Sequence, residues 1–361
     1  MSRLAVDRDT GRYAGACPRV TQPKEVAHFS RDTARSTHFD RRSLRRYRQP
    51  RLPVALDDGF MSYVPRAPGA PLSDVLEALA HQSISASTHN VVTYRNNLNK
   101  LFLTPLNPND DWEIGVTRHA EDTILLEVRE TARKTAEEAA RTERERRMCY
   151  WGYKFEQLCT LEPSADENDG GAAGSASAEA VDANEEFCSI VSLGLDRLKL
   201  IVCAEIDAVD EIGAKGESGA KESYVEFKTT KLIRTPRDRT SFERYKLLKF
   251  WLQSYLAGVP RILCGFRDDA GSVTVIEAFE TLSLHRLVRG KPHAWDPSVC
   301  LNFGAQALSW LLREMRHVDV GSARLLRYEP ATRELVLAAH GVGEPCADGP
   351  PAKQPRREES L

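Results

Sequence analysis

The sequence of 361 residues lacks several patterns that define common protein classes. Its eight cysteines are scattered without a CxxC pair, so they are interpreted as reduced residues of the core. The nine histidines show no HxH or HExxH spacing, which argues against a zinc site. No apolar run approaches the ~18 residues that span a membrane, and the N-terminus has no hydrophobic signal core. We therefore expect no membrane partner and a reducing cytosolic or nuclear location.

The chain also lacks a large excess of charge of either sign. Its formal net charge of −2 excludes a bulk polycation of the histone type, so any contact with nucleic acid must come from a local basic surface. Hydrophobic residues make up 41% and charged residues 28%, which indicates a soluble globular protein with a sizeable core. No internal repeat is present, so a repeat architecture is not indicated.

Composition divides the chain into one domain with flexible additions. Residues 1–35 are polar and Arg-rich with little periodicity, and they are predicted to be a flexible N-terminal segment. Residues 36–342 carry the strand and helix patterns of a single domain. Within it, the Ala/Gly/Ser/acid-rich stretch 163–184 predicts a disordered loop. Residues 343–361 are predicted to be a flexible C-terminal tail.

Two strand patterns between residues 199 and 231, separated by a Gly-rich turn, carry charged residues. Because residues i and i+2 of a strand share a face, Glu205 is expected beside Asp207, and Glu226 beside Lys228. Three acids and a lysine on adjacent strands favour a divalent metal, since Mg²⁺ takes carboxylate oxygens. The order Asp207, then Glu226-x-Lys228, is the PD-(D/E)xK nuclease arrangement in outline. The alternative is an amphipathic hairpin whose acids pair with lysine in water, and these residues alone leave both open.

Three other polar residues lie in apolar or junction contexts. Glu156 is carried by a helix that turns apolar in CYWGYKFEQLC, where it either meets a metal or pairs with a nearby cation. Arg95 stands where a strand meets a helix, a place for a salt bridge or for a phosphate contact. Gln253 lies mid-helix among aromatics, and its direction is ambiguous. The basic cluster RRSLRRYR at 41–48 is compatible with a nuclear import signal, with a segment that contacts phosphate, or with a charged edge exposed to solvent.

Several stretches taken together resemble the DXO-type RNA decapping nucleases, which include the fungal proteins that partner the nuclear 5′–3′ exoribonuclease. The resemblance runs in order from about Leu44 to Leu337. It rests on TYRNNLNKL around Arg95, GYKFE at 152–156, EID at 205–207, EFK at 226–228 and KLLKFWLQSYLAGVPRILCGFRDDAG at 246–271. It implies an α+β fold: a single domain of two mixed or antiparallel β-sheets with surrounding helices and a PD-(D/E)xK-like active-site core.

The resemblance also implies roles for individual residues. Mg²⁺ or Mn²⁺, as two divalent ions, would be held by Glu156, Glu205, Asp207, Glu226 and the backbone carbonyl of Phe227. Lys228 and Gln253 would orient the attacked phosphate or the nucleophile, and Arg95 would bind RNA phosphates. The implied reaction is hydrolysis at the RNA 5′ end.

Three functions compete on these grounds. The first is a metal-dependent enzyme that removes incomplete caps, pyrophosphate from 5′-triphosphate RNA, or NAD caps. Such an enzyme belongs to mRNA 5′-end quality control, with an expected nuclear location. The second is a partner that stabilises and stimulates a nuclear 5′–3′ exoribonuclease. The third is a DNA nuclease of the PD-(D/E)xK type.

Overall fold

The computed structural model describes residues 1–161, 180–210 and 223–339. Most of the loop predicted at 163–184 and all of the tail predicted at 343–361 lie outside these residues. The strands are β1 Ser2–Ala5, β2 Lys24–Arg31, β3 Thr37–His38, β4 Arg46–Tyr47, β5 Val54–Ala55, β6 Val91–Tyr94, β7 Trp112–Ala120, β8 Thr123–Arg129, β9 Thr160–Leu161, β10 Glu186–Leu195, β11 Leu198–Glu205, β12 Ala208–Asp210, β13 Ser223–Lys231, β14 Arg261–Arg267, β15 Ser272–Glu280, β16 Ala323–Glu329 and β17 Glu334–Ala339.

The helices begin and end at residues suited to those positions. They are α1 Leu72–His81, α2 Arg95–Leu103, α3 Ala132–Ala139, α4 Glu143–Leu158, α5 Pro236–Ser241, α6 Leu247–Ala257 and α7 Pro297–Met315. Thr142 and Glu145 form a reciprocal capping box at the start of α4. Gly258 ends α6 with a φ of 72°, a conformation that glycine adopts without strain. A π-helical turn over Phe242–Lys246 joins α5 to α6.

The described strands form two mixed sheets. The larger sheet has the order β1-β17-β16-β7-β8-β6-β11-β10-β2-β3, and the smaller has the order β5-β15-β14-β13-β12-β4-β9. Most neighbours run antiparallel, but β6 is parallel to both β8 and β11, β13 is parallel to β14, and β12 is parallel to β4. The α+β architecture of two sheets with surrounding helices is therefore confirmed. Within the described residues, no helix is both long and apolar enough to cross a membrane.

Helices pack on the sheets through separate hydrophobic cores. The main core joins α2, α6 and α7 to residues of both sheets, with Val202 from β11 and Cys264 from β14 as fully buried examples. α1 packs against the larger sheet through Val75 and Leu79. α4 packs against the smaller sheet, where Phe155 meets Phe227 edge to face. α6 thus lies in the main core, on one side of β13, and it carries Gln253 there.

The chain passes from the larger sheet to the smaller one at Glu205-Ile206-Asp207. Glu205 is the last residue of β11, and β12 begins at Ala208 in the other sheet. The Ile206 side chain is buried in a small core with Phe187 and Val209, which fixes the crossing. Two acids that are separated by one residue in sequence therefore lie at the two ends of the crossing, Glu205 at the end of β11 and Asp207 just before β12.

The prediction of a flexible segment over residues 1–35 is wrong for much of that segment. β1 pairs with β17, and β2 pairs with β10, so both strands are part of the larger sheet. β1 alternates between half-buried and exposed residues, whereas β2 becomes buried toward its end, where Arg31 has ionic partners. A polar sequence without clear periodicity therefore hid two strands, of which β2 also packs Ala27 and Phe29 into a hydrophobic core.

Candidate active site

Glu226 is the centre of the site. It lies on β13, the middle strand of the smaller sheet, and its side chain is 1% exposed. Arg95 Nη1 donates to its Oε2 at 3.0 Å, Gln253 Nε2 donates to its Oε1 at 2.6 Å, and Lys228 Nζ donates to the same Oε1. Burial opposes ionisation, but Arg95 and then Lys228 hold the pKa of Glu226 below its usual range.

Each partner of Glu226 comes from a different element. Arg95 is the first residue of α2, which begins directly after the fully buried strand β6. Lys228 shares a face of β13 with Glu226 because the two are separated by one residue. Gln253 lies on α6, so the direction that the sequence left ambiguous is resolved toward the site. Arg95 likewise forms a buried ion pair rather than a surface salt bridge.

Asp207 lies in the crossing between the sheets. Its Oδ2 accepts a hydrogen bond from the backbone N–H of Phe227 at 2.6 Å, which ties the crossing to β13. The Phe227 side chain points into the core against Phe155. Burial, followed by repulsion from Glu226, raises the pKa of Asp207 to about 8. This carboxyl group therefore holds a proton at neutral pH.

Glu156 approaches the same place from the last turn of α4. It lines one cavity together with Glu205, Asp207 and Tyr153. Burial raises the pKa of Glu156 well above its ordinary value, and Asp207 and Glu205 add repulsion. The first half of α4 is exposed and its second half enters the core, as the sequence predicted.

The structure corrects the expectation that the charged strands are adjacent. β11, which ends at Glu205, pairs with β10 and β6, whereas β13 pairs with β12 and β14. The two strands do not form a hairpin with each other, because the chain changes sheets between Glu205 and Asp207. The carboxylates meet where the sheets face each other, and not along one ladder.

A second ionic cluster, which sequence reasoning missed, borders the cavity. Arg66 Nη1 binds Glu205 Oε2 at 2.8 Å, and Arg66 also contacts Glu186. Glu186 is 1% exposed, and it further binds Arg31 and Arg35. No periodic pattern points to these residues, because isolated arginines and acids are usually surface groups. From the basic cluster at 41–48, Arg45 binds Glu185 at 2.9 Å and also lines the cavity.

The donor set fits a hard divalent cation. Glu226 and Glu205 are turned toward cationic partners. Across the ranges that the structure describes, no three Asp, Glu, His or Cys side chains converge in a metal-binding arrangement. The nearby Glu156 and Asp207 carboxyls nevertheless have raised pKa values because they are buried beside other acids. An excess of buried carboxylate with oxygen donors only is the environment that Mg²⁺ or Mn²⁺ would stabilise.

The model of one nuclease family, the RAI1-like PD-(D/E)XK nucleases, matches residues 21–345. The chain belongs to this family. A relative from Emericella nidulans named "Decapping nuclease RAI1" is 32% identical over 340 residues, covering 92% of each chain. The "Decapping and exoribonuclease protein" of Homo sapiens is 32% identical over 342 residues, covering 89% of this chain and 82% of the relative. This RAI1-like nuclease is therefore a hydrolytic enzyme of the decapping nuclease family, as the resemblance implied.

Solved structures agree with the fold of this RAI1-like nuclease. The crystal structure of S. pombe Rai1 has a TM-score of 0.75 at 28% identity, covering 93% of this chain and 98% of that one. Candida albicans Rai1, solved in complex with pU5 and Mn²⁺, has a TM-score of 0.81 at 21% identity, covering 94% of this chain and 93% of that one. The single-domain α+β fold with a PD-(D/E)XK core is thereby confirmed.

Proposed function

We propose that this RAI1-like nuclease is a divalent-metal-dependent hydrolase of RNA 5′ ends. It would remove incomplete, unmethylated caps as a dinucleotide, pyrophosphate from 5′-triphosphate RNA, or NAD caps. The observation that carries the proposal is the pair of partly buried carboxyl groups, Glu156 and Asp207, with raised pKa values, beside the buried Glu226 and its partners Arg95, Lys228 and Gln253. The ligands in two solved structures support the proposal. Candida albicans Rai1 was solved with pU5 and Mn²⁺, and Scheffersomyces stipitis Rai1 was solved with 3′-NADP⁺ and a calcium ion.

The metal ions would be held by oxygen ligands from both sheets and from α4. The proposed ligands are Glu156, Glu205, Asp207, Glu226 and the carbonyl oxygen of Phe227. Bound divalent ions supply Lewis-acid polarisation of the phosphoryl group and a more acidic water. Glu205 and Glu226 would release Arg66 and Arg95 when they take up metal, since each now faces one of those arginines.

The remaining side chains position the substrate. The Lys228 ammonium would stabilise negative charge that develops on the attacked phosphate, because it is fixed beside Glu226 on β13. The Gln253 amide would orient the nucleophile or a phosphate oxygen from the opposite wall. The planar fork of Arg95 suits two phosphate oxygens. Arg95 is 8% exposed, so it would contact only a strand that enters the site.

The test is a panel of RNAs with 5′-triphosphate, unmethylated cap, methylated cap, NAD and monophosphate ends, each incubated with Mn²⁺ and with chelator. We expect Asp207→Asn and Glu226→Gln to lower hydrolysis at least ~100-fold, the scale of losing one group that stabilises transition-state charge. Glu277→Gln, at an exposed acid on β15, is the matched control and keeps wild-type rates. Circular dichroism verifies that each variant is folded.

Two outcomes contradict the proposal. One is undiminished release of cap dinucleotide or pyrophosphate by both site variants. The other is cleavage of duplex DNA with no preference for RNA ends, which would assign the DNA nuclease function instead.

Association with a nuclear 5′–3′ exoribonuclease, and a nuclear location, stay predictions. Co-purification of such an enzyme with the Glu226→Gln variant would support a stabilising role that is independent of hydrolysis. A monodisperse protein that never associates would contradict it.

A further inference from the structure

One connection leaves the site and returns to it. The chain departs along β13 past Lys228, forms α5 and the π-helical turn, and comes back on α6 to Gln253. Both ends of the connection contact Glu226, because Lys228 and Gln253 each donate to its Oε1. The segment 231–249 is therefore tethered at the site from both sides.

This segment carries far more positive than negative charge. Its sequence, KLIRTPRDRTSFERYKLLK, holds seven Lys and Arg residues against two acids. Both acids already have partners within the fold. Asp238 caps α5 through Thr235, and Glu243 is buried and bound to Lys291 and His293. The exposed charge of the segment is therefore almost entirely cationic.

Six of these cations form a set that we call the basic rim. It consists of Arg234, Arg237, Arg239, Arg244, Lys246 and Lys249, and every member is exposed. Lys231, the seventh cation, is instead paired with Asp269 at 3.0 Å. Counting only partners in the described ranges, the rim residues form no salt bridge. A run of unpaired cations costs folding energy through self-repulsion, so a surface ligand that neutralises it is a physical explanation for the rim.

The rim is aligned with the site. Lys246 ends the π-helical turn directly before α6, and Lys249 and Gln253 lie on α6. Spacings of three and four residues place these side chains on one side of the continuous helical segment. Helical rise places Lys249 about 6 Å and Lys246 about 10 Å before Gln253 along the axis. Lys228 on β13 is in register with Cys264 on β14. Burial raises the pKa of Cys264 to about 12, and Lys246 and Lys228 both oppose that rise.

An exposed aromatic ring lies next to the rim residue Arg244. Tyr245 is 51% exposed, and the guanidinium of Arg244 lies 5.3 Å from its ring centroid. Cations that follow a line, together with an aromatic face, are the features that bind single-stranded nucleic acid without reading its sequence.

We propose that the basic rim binds the phosphate backbone of the RNA body, beyond the nucleotides held inside the site. This inference rests on the proposed function and deepens it by giving the enzyme a length-dependent affinity for its substrate. An acidic protein segment is the competing occupant, and the experiment separates the two.

The experiment compares fluorescein-labelled oligouridylates of 5 and 20 nucleotides by anisotropy, in EDTA, across a salt series. We expect Lys246→Gln/Lys249→Gln to weaken binding of the 20-mer about 5- to 10-fold and to leave the 5-mer unchanged. The slope of log affinity against log salt should fall by about 1.4, since each lost phosphate contact on a single strand accounts for ~0.7. Arg237→Gln/Arg239→Gln is a second rim variant with the same expected direction.

Arg313→Gln/Arg316→Gln, at the C-terminal end of α7, is the matched control, because it removes two exposed cations outside the rim. An unchanged 20-mer affinity in both rim variants would overturn the inference. So would an equal loss for the 5-mer, or a loss of binding to poly-glutamate while RNA affinity is retained.

Pyrophosphate release from the 5′-triphosphate 5-mer separates this inference from the proposed function. If wild-type protein hydrolyses the 5-mer with Mn²⁺ but the rim variants bind the 20-mer normally, only the rim inference fails. If wild-type protein hydrolyses no RNA end, the proposed function fails.

Discussion

Replacing Glu186 by glutamine tests the ionic cluster beside the site. The Glu186 side chain is 1% exposed and contacts three arginines: Arg31, Arg35 and Arg66. The substitution keeps the size of the side chain and removes the one carboxylate that these guanidinium groups share. Arg31 would keep Asp74 as a partner, and Arg66 would keep Glu205, so the buried positive charge is compensated only in part.

The magnitude follows from this partial compensation. Removing one partner of a buried ion pair costs ~3–5 kcal/mol, because the remaining charge is left without its counter-charge in a poorly solvated place. Since two of the three arginines retain an acid, we expect a loss near the lower limit, about 3 kcal/mol. Glu137→Gln removes half of an exposed pair with Arg133 and should cost only ~0.3–0.5 kcal/mol.

Equilibrium urea unfolding at pH 7, followed by tryptophan fluorescence, measures both variants against wild type. A loss of about 3 kcal/mol lowers the folding equilibrium constant by more than ~100-fold. If Glu186→Gln lost less than ~1 kcal/mol and matched the surface control, the cluster would not be an interdependent buried network, and the reasoning would be refuted.

Two further predictions concern metal uptake and packing. Affinity for Mn²⁺ should rise as the pH passes through the raised pKa of Asp207, about 8, because protons compete with the metal for this carboxyl group. The pKa of Glu156 is also raised, by burial and by repulsion from Asp207 and Glu205, and it acts in the same direction. Titration calorimetry in two buffers measures the released protons, and a flat profile would contradict this. Gly304→Ala would place a Cβ 2.5 Å from the Phe102 ring and should cost ~1–3 kcal/mol in urea unfolding. In Gly152→Ala on α4, the added Cβ would have no atom within 4 Å, so this substitution should instead stabilise the protein by up to ~1 kcal/mol. If Gly152→Ala destabilised the protein more than Gly304→Ala, this account of the packing would be wrong.

Sequence patterns identified most of the regular elements and the residues that surround Glu226. The helical pattern around CYWGYKFEQLC placed Glu156 on a helix, which is α4. The spacing of two could not reveal that the chain leaves the larger sheet after Glu205 and enters the smaller one after Asp207, because strand pairing is decided by distant residues. Local composition likewise predicted mobility where β1 and β2 complete a sheet, since pairing partners hundreds of residues away are not visible in a short window.

Arg66 and Glu186 were missed for a related reason. Each is a charged residue in an ordinary polar context, and only the fold brings them together beside Glu205. They contribute to stability because they are buried. Sequence alone does not predict burial for residue types that are usually exposed.

Under the proposed function, the crossing at Ile206 would make hydrolysis depend on how the two sheets pack against each other. Glu205 moves with the larger sheet, and Glu226 moves with the smaller one. A substitution that only loosens the small core around Ile206, such as Phe187→Ala, would separate carboxylates without altering any of them. In a mutational scan for loss of activity, apolar residues at this crossing would therefore reduce activity as strongly as the acids do. Moderate heating would likewise abolish activity at a temperature below that of global unfolding.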